Sequence, residues 1–513
     1  RSECWLDALA DSGRRRSPVG RIYLAGALPA GRMSRRAFAA ISLATLLLVA
    51  GCSAPSGGGS TTLPETTSPS PTAPPTTPTA TPTGTASPGA PTATPTTAPT
   101  TEPADDPSSV LGRENGVWYN DTLPITPSDG FNRTEIELVR DRTMARIEVI
   151  RGHEFTENVS IEIRSRAEYR NSSAFSFPED RWRDLFWEAA FIVEENESSA
   201  EALTELYGSS VAGFYTDGRI VIVAEDPDAV SLDRGTLVHE LQHALQDQAL
   251  DLSVGQQGPR DERFAGTSVT EGDANYVMDR YQERCEGNWS CIPQPSDDDG
   301  STFRSFNRGL FAAIWVPYSD GPTFVEALYD RGGWDAVDAA FESPPISTEQ
   351  VIHPERYPDE TPVVVRVEDR SSGEWRRLDR TGVFGEATLF AMLWSHQVIP
   401  SAHVRSDDRR WNYSHPATDG WGGDRFVAYT NGTDYGYVFE SVWDTERDAR
   451  EFHEAYVDLL QENGGTEVRS GVYRTANWSG FEDAFRIERH GKRVVVVNAP
   501  TVEALDGVHA PTE

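Results

Sequence analysis

The 513-residue chain carries 46 basic and 80 acidic side chains, a formal net charge of −34. A chain this negative lacks the basic footprint that nucleic-acid binding needs, and it is repelled by anionic lipid surfaces. Its 38% hydrophobic and 10% aromatic content is nonetheless too high for a wholly disordered polymer, and no apolar run approaches the 20 residues of a membrane span. The acid is unevenly placed: residues 1–101 hold only Glu3, Asp7, Asp11 and Glu65, against eight arginines. Lys492 is the single lysine. Such a whole-chain bias points to a surface adapted to strong salt rather than to a field that steers basic substrates.

Residues 1–32 have no useful periodicity and are expected to be a non-native upstream extension, with Met33 as the start. From there Met33-Ser34-Arg35-Arg36-Ala37-Phe38 presents twin arginines with an aromatic two places on. The apolar stretch Ala37–Ala50 is too short to span a bilayer and fits a signal h-region. It ends Leu48-Val49-Ala50-Gly51-Cys52, which resembles a lipobox, so Cys52 is expected to carry the lipid; a plain signal peptide with an incidental Cys is the alternative. Residues 33–51 thus predict a lipoprotein signal peptide, export by the twin-arginine route, and anchoring at the extracellular face of the cell membrane.

Residues 52–108 predict a disordered stalk. Between Thr61 and Thr100 there are 16 Thr and 11 Pro; proline fixes φ and removes donors, so the segment cannot pack a core. Its composition suits O-glycans, and sequons at Asn120, Asn132, Asn158, Asn171, Asn196, Asn288, Asn412, Asn431 and Asn477 suit N-glycans. An exported chain permits a disulfide, and Cys285 and Cys291 are the close pair available for it.

The folded part is expected as two regions, 109–360 and 361–513. Glu135–Ile150 and Asp180–Glu195 have helical periodicity, and Asn158–Ile163 alternates like a strand. Gly213–Glu225 predicts a hairpin turning at Asp217-Gly218. Pro322–Asp330 and Trp334–Phe341 predict short helices separated by Gly332-Gly333. Beyond 361 come several strands, a helix at Asp444–Leu460 and a hairpin at Gly491. Helices and strands do not alternate as a βαβ series, so the fold class is α+β.

One motif carries chemistry. In Thr236-Leu237-Val238-His239-Glu240-Leu241-Gln242-His243-Ala244-Leu245-Gln246, the residues Leu237, Leu241, Ala244 and Leu245 form a helical apolar stripe. His239 and His243 lie one turn apart, so both imidazoles leave one face and can bind one zinc ion; Glu240 beside them can accept a proton from water. Glu271, in Ser268-Val269-Thr270-Glu271-Gly272-Asp273-Ala274, is the candidate third ligand, with small Gly272 and Ala274 letting its helix approach the first. The competing reading is a capping box, Ser268-x-x-Glu271, closing a helix N-terminus. His353 and Tyr318 are candidate oxyanion donors, His353 also reading as a structural residue before Pro354. Asp247 is a candidate partner behind the ligands or a solvated acid, and strand Arg219–Val223 could offer an edge to an extended peptide or simply be sheet core.

H-E-x-x-H followed by E-G-x-A resembles the gluzincin class of zinc metallopeptidases. The run His239–Gln248, Gly332-Gly333-Trp334, Pro344–Pro354 and Gly420–Arg425 are similar to a branch of secreted and surface proteins of actinobacteria and haloarchaea. The Asn-Glu-x-x-Ser-Asp pattern of thermolysin-type enzymes is absent. The resemblance implies a zincin-like fold, one Zn2+ per chain on His239, His243 and Glu271, Glu240 as general base, and a peptide or protein substrate. The alternative is a non-catalytic surface or adhesion protein that keeps the scaffold.

Overall fold

The computed structural model describes residues 110–511, apart from 126–129, 172–176, 225–226, 228–229, 231, 251, 253–256, 294–306 and 406–410. The expected extension, signal peptide, lipid site at Cys52 and stalk lie outside the described residues.

A short ribbon, β1 (Arg113–Glu114) and β2 (Val117–Trp118), leads into helix α1 (Arg133–Arg151). Asn132 and Glu135 form a reciprocal capping box at its start, and Gly152 closes it in the left-handed region, φ 84°. Then come β3 (Ser160–Ser165), α2 (Arg166–Asn171), α3 (Arg181–Ala189) and α4 (Ser199–Ser210). Helix α3 is capped by Asp180 and stops at Ala189, short of the expected Glu195, because Phe191 turns to φ 53°. Strands β4 (Gly213–Thr216) and β5 (Arg219–Ala224) form the predicted hairpin, with Asp217 and Gly218 both at positive φ as a tight primed turn requires.

The three-stranded sheet runs β3-β5-β4, β3 parallel and β4 antiparallel to β5. Strand Arg219–Val223 is therefore the middle strand, with both sides paired. The expectation that it offers an edge is overturned: among the described strands the edges belong to β3 and β4.

Two helices follow, α5 (Arg234–Ala249), capped by Asp233 accepting from Thr236 N at 2.6 Å, and α6 (Arg260–Glu286). Helix α6 starts eight residues before Ser268, so Ser268 and Glu271 lie well inside it. The capping-box reading falls, and the Ser268 hydroxyl instead donates to Phe264 O. Cys285 and Cys291 form a disulfide at the end of α6. Next are α7 (Arg308–Ser319) and α8 (Gly321–Glu342), the latter broken at Gly332 and Gly333, where Gly333 takes φ 67°. At Gly272 the nearest neighbour is the start of α8. A Cβ there would lie 2.4 Å from Gly321 O, so it is the crossing of α6 with the start of α8 that excludes a side chain.

Short α9 (Thr348–Ile352) precedes β6 (Arg376–Gly382), α10 (Gly385–Ser395), β7 (Trp421–Thr430), β8 (Tyr435–Trp443) and α11 (Glu446–Glu462). Strands β9 (Thr466–Arg469), β10 (Val472–Arg474), β11 (Ala484–His490) and β12 (Arg493–Ala499) and a last turn, α12 (Leu505–Val508), end the described chain. The seven-stranded sheet is antiparallel, in the order β6-β7-β8-β12-β11-β10-β9. The class is mixed α+β.

Burial places the two sheets. Leu237, Leu241, Ala244 and Leu245 of α5 share one core with Ile220 and Ile222 of β5, Ile147 of α1 and Val277 of α6. A larger core joins Leu185, Phe186 and Trp187 of α3, helix α7 and Phe384, Phe426 and Phe439, so side chains from both sides of residue 360 pack together. None of the described helices is long and apolar enough to cross a membrane.

Candidate metal centre

Helix α5 pins its apolar stripe against the small sheet, which turns His239 and His243 toward α6. There His239 Nε2 lies 3.1 Å from Glu271 Oε2, His243 Nε2 3.5 Å from the same oxygen, and the two Nε2 atoms 3.0 Å from each other. His243 and Glu271 are 0% and His239 2% exposed. Three electron-pair donors facing one point in a dry interior need protons or a cation between them. Nitrogens and oxygen at about 2.0–2.1 Å from a tetrahedral zinc stand about 3.3 Å apart, so the triangle fits that ion.

The tautomer of His243 follows from its neighbour. Gln246 Nε2 donates to Thr270 O at 2.9 Å and to Asp273 Oδ2 at 2.8 Å. Its Oε1 is then the acceptor 2.8 Å from His243 Nδ1. His243 must carry hydrogen on Nδ1, which leaves the Nε2 lone pair aimed at the triangle. Asp273 also accepts from Gln242 Nε2 at 2.7 Å and from Arg151 Nε at 3.0 Å, both ends of the Arg151–Asp273 pair being fully buried. Arg151 reaches on to Asp338 and lies over the ring of Trp334. None of this chain was foreseen. Gln242 and Gln246 were visible as an i, i+4 pair, but Asp273 and Arg151 come from other helices.

Without an ion, protons fill the role. Burial disfavours the charged His243 imidazole, but the adjoining Glu271 carboxylate outweighs it and lifts the pKa to about 9. Burial likewise opposes the Glu271 charge, yet His243 and then His239 hold it well below the usual carboxylate range.

Glu240 is 0% exposed and sits where β4 crosses α5. A Cβ on Gly213 would lie 3.7 Å from Glu240 Cγ and 2.9 Å from Thr236 Cγ2, so a glycine is what lets the strand lie against the helix here. Tyr318, from α7, hydrogen-bonds Glu271; burial, with that carboxylate next to it, pushes the phenol well above its usual pKa, so it stays protonated. Asp247 accepts from Tyr215 Oη at 2.6 Å, tying α5 to β4 rather than backing a ligand. His353 Nε2 engages Glu386 and Asp419 and neither Glu240 nor Glu271, which removes it as an oxyanion donor at this centre. Of the other histidines, His153 pairs with Asp338, and His396 and His403 bond the backbone carbonyls of Phe191 and Ser414.

Residues 376–509, from β6 to the last turn, match a domain of unknown function, DUF8575. The matched segment holds the large sheet and none of the three ligand candidates. No curated protein matches the chain.

Proposed function

We propose that the chain is a cell-surface, lipid-anchored zinc-dependent peptidase with a zincin-like arrangement of the small sheet, α5 and α6. The observation that carries the reading is the convergence of His239, His243 and Glu271 to donor separations of 3.0–3.5 Å. Bound there, zinc supplies Lewis acidity for hydrolysis of a peptide bond. Glu240 takes the proton of the attacking water and returns it to the leaving amine. The Tyr318 hydroxyl orients Glu271, and Gln246 orients His243. Among the described strands β4 is an edge, and its Gly213 lies against Glu240; an extended peptide pairing with β4 would bring its carbonyls past that carboxylate. Export by the twin-arginine route, lipid on Cys52, the Thr/Pro stalk and glycans belong to the same proposal.

A second reading is favoured by burial: with Glu240, His243 and Glu271 at 0% exposure, the same ion would be structural in a non-catalytic surface protein. Elemental analysis and a peptide-library digest separate the two. The wild-type chain is expected to hold zinc that His243→Ala loses; no stoichiometric zinc in the wild type sinks the peptidase. Glu240→Gln is expected to keep the zinc and lose about 10²–10⁴-fold in cleavage rate. Zinc that His243→Ala loses, without cleavage by the wild type, supports the structural reading instead.

A further inference from the structure

A second group of donor atoms lies outside this centre, and the proposed hydrolysis makes no use of it. His353, just past α9, places Nε2 3.1 Å from Glu386 Oε1 on α10 and 3.7 Å from Asp419 Oδ1 in the turn before β7. The three ligand atoms lie within 4.8 Å of one another. Glu386 is fully buried, and its second oxygen, Oε2, has no hydrogen-bond partner although it is out of reach of solvent. An orphaned carboxylate oxygen inside a protein is costly, and either a proton or a bound cation removes the cost.

The frame around the cluster is held by hydrogen bonds. Asp424 accepts from Phe384 N, Gly385 N and Trp421 Nε1, each at 2.9 Å, so it ties the segment bearing Glu386 to the one bearing Asp419. Thr348 Oγ1 accepts from Ala387 N at 3.2 Å, fixing α9 against α10. Asp419 is held by Ser414 Oγ at 3.1 Å and His415 N at 2.8 Å. Arg356, the nearby cation, is already engaged with Glu349, Glu360 and Asp444.

We infer that His353, Glu386 and Asp419 form a second divalent-metal site, of the nitrogen-and-carboxylate class that suits zinc or manganese. One imidazole with two carboxylates favours a first-row transition ion over calcium, which takes oxygens alone. Side-chain exposure rises from 0% at Glu386 and 14% at His353 to 37% at Asp419, so the ion enters past Asp419 and water completes its shell there. The site draws together two stretches that the peptidase chemistry leaves unused, Pro344–Pro354 and the turn leading into Gly420–Arg425.

The test is zinc or manganese stoichiometry of the full chain after loading with the metal alone and gel filtration. A His239→Ala/His243→Ala double variant is expected to keep about one equivalent, and adding His353→Ala to remove it. In the wild-type background, His353→Ala and Asp419→Asn should each lose about one equivalent, and loading with calcium should leave none at this site. Metal content unchanged by both His353→Ala and Asp419→Asn overturns the inference and leaves a plain histidine–carboxylate ion pair. Because Asp419 is partly exposed, its variant reports even where the buried ones do not fold. Loss of metal with His243→Ala alone concerns the first centre and leaves this result standing.

Discussion

The two clusters show two ways of assembling donors. In the first, two candidate ligands are one turn apart on α5, the third comes from the adjoining α6, and all three are buried. In the second, His353, Glu386 and Asp419 come from three separate segments, and one flank opens to water. The first is precise because one helix sets the spacing of two donors and a buried chain from Gln246 through Asp273 to Arg151 holds the orientation of His243. The second depends on Asp424 and Thr348 to bring the start of α10 and two distant loops together. Spacing within a helix is local; convergence of loops is not.

The largest effect is expected where the first cluster's support is broken. Asp273→Ala removes the acceptor of a fully buried guanidinium and of two amides, and should cost about 3–5 kcal/mol in a denaturant titration of the metal-free chain. A loss within experimental error would mean that Asp338 alone satisfies Arg151. Next comes Gln246→Leu, which frees His243 Nδ1; zinc affinity measured against a competing chelator should fall about 10–100-fold with the fold intact. Unchanged affinity would show that the histidine needs no such orientation, and the contrast between the clusters would shrink.

The smallest effect concerns the second region, beside the loop cluster. Asp261 is buried, and burial raises its pKa from about 3.8 to about 8, against the pull of the Thr348 donors. A carboxyl whose pKa is higher folded than unfolded stabilises the fold below the unfolded value, and that contribution disappears as pH climbs through the folded one. Thermal melts of the metal-free wild type should therefore drop between about pH 4 and pH 8, and Asp261→Asn should flatten that drop. Parallel profiles for the two chains would assign the decline to other groups.

How much of this was legible beforehand differs by element. The hairpin at Asp217-Gly218, the helix break at Gly332-Gly333 and the one-turn spacing of His239 and His243 on α5 rest on turn chemistry and helical period, both local. Glu271 was ambiguous because a capping box and a ligand need the same residues in the same order. Only the start of α6 at Arg260 distinguishes them. At Gly272 a small residue says that something approaches and not what: the nearest element is the start of α8, at Gly321. The strand Arg219–Val223 read as a possible edge because pairing partners cannot be counted from one strand.

The acid that dominates the composition, and the two histidines four residues apart, are properties of the chain itself; charge adds along it and an α-helix repeats every 3.6 residues wherever it lies. Which carboxylate closes the triangle, which glutamine fixes the tautomer, and where a second histidine finds its carboxylates are decided by packing. The carboxylate partners are separated by tens of residues, and only a core that forces helices and sheets into contact can bring them within 3–4 Å; Gln246 is one turn from His243, and what packing adds there is the Thr270 and Asp273 acceptors that orient its amide.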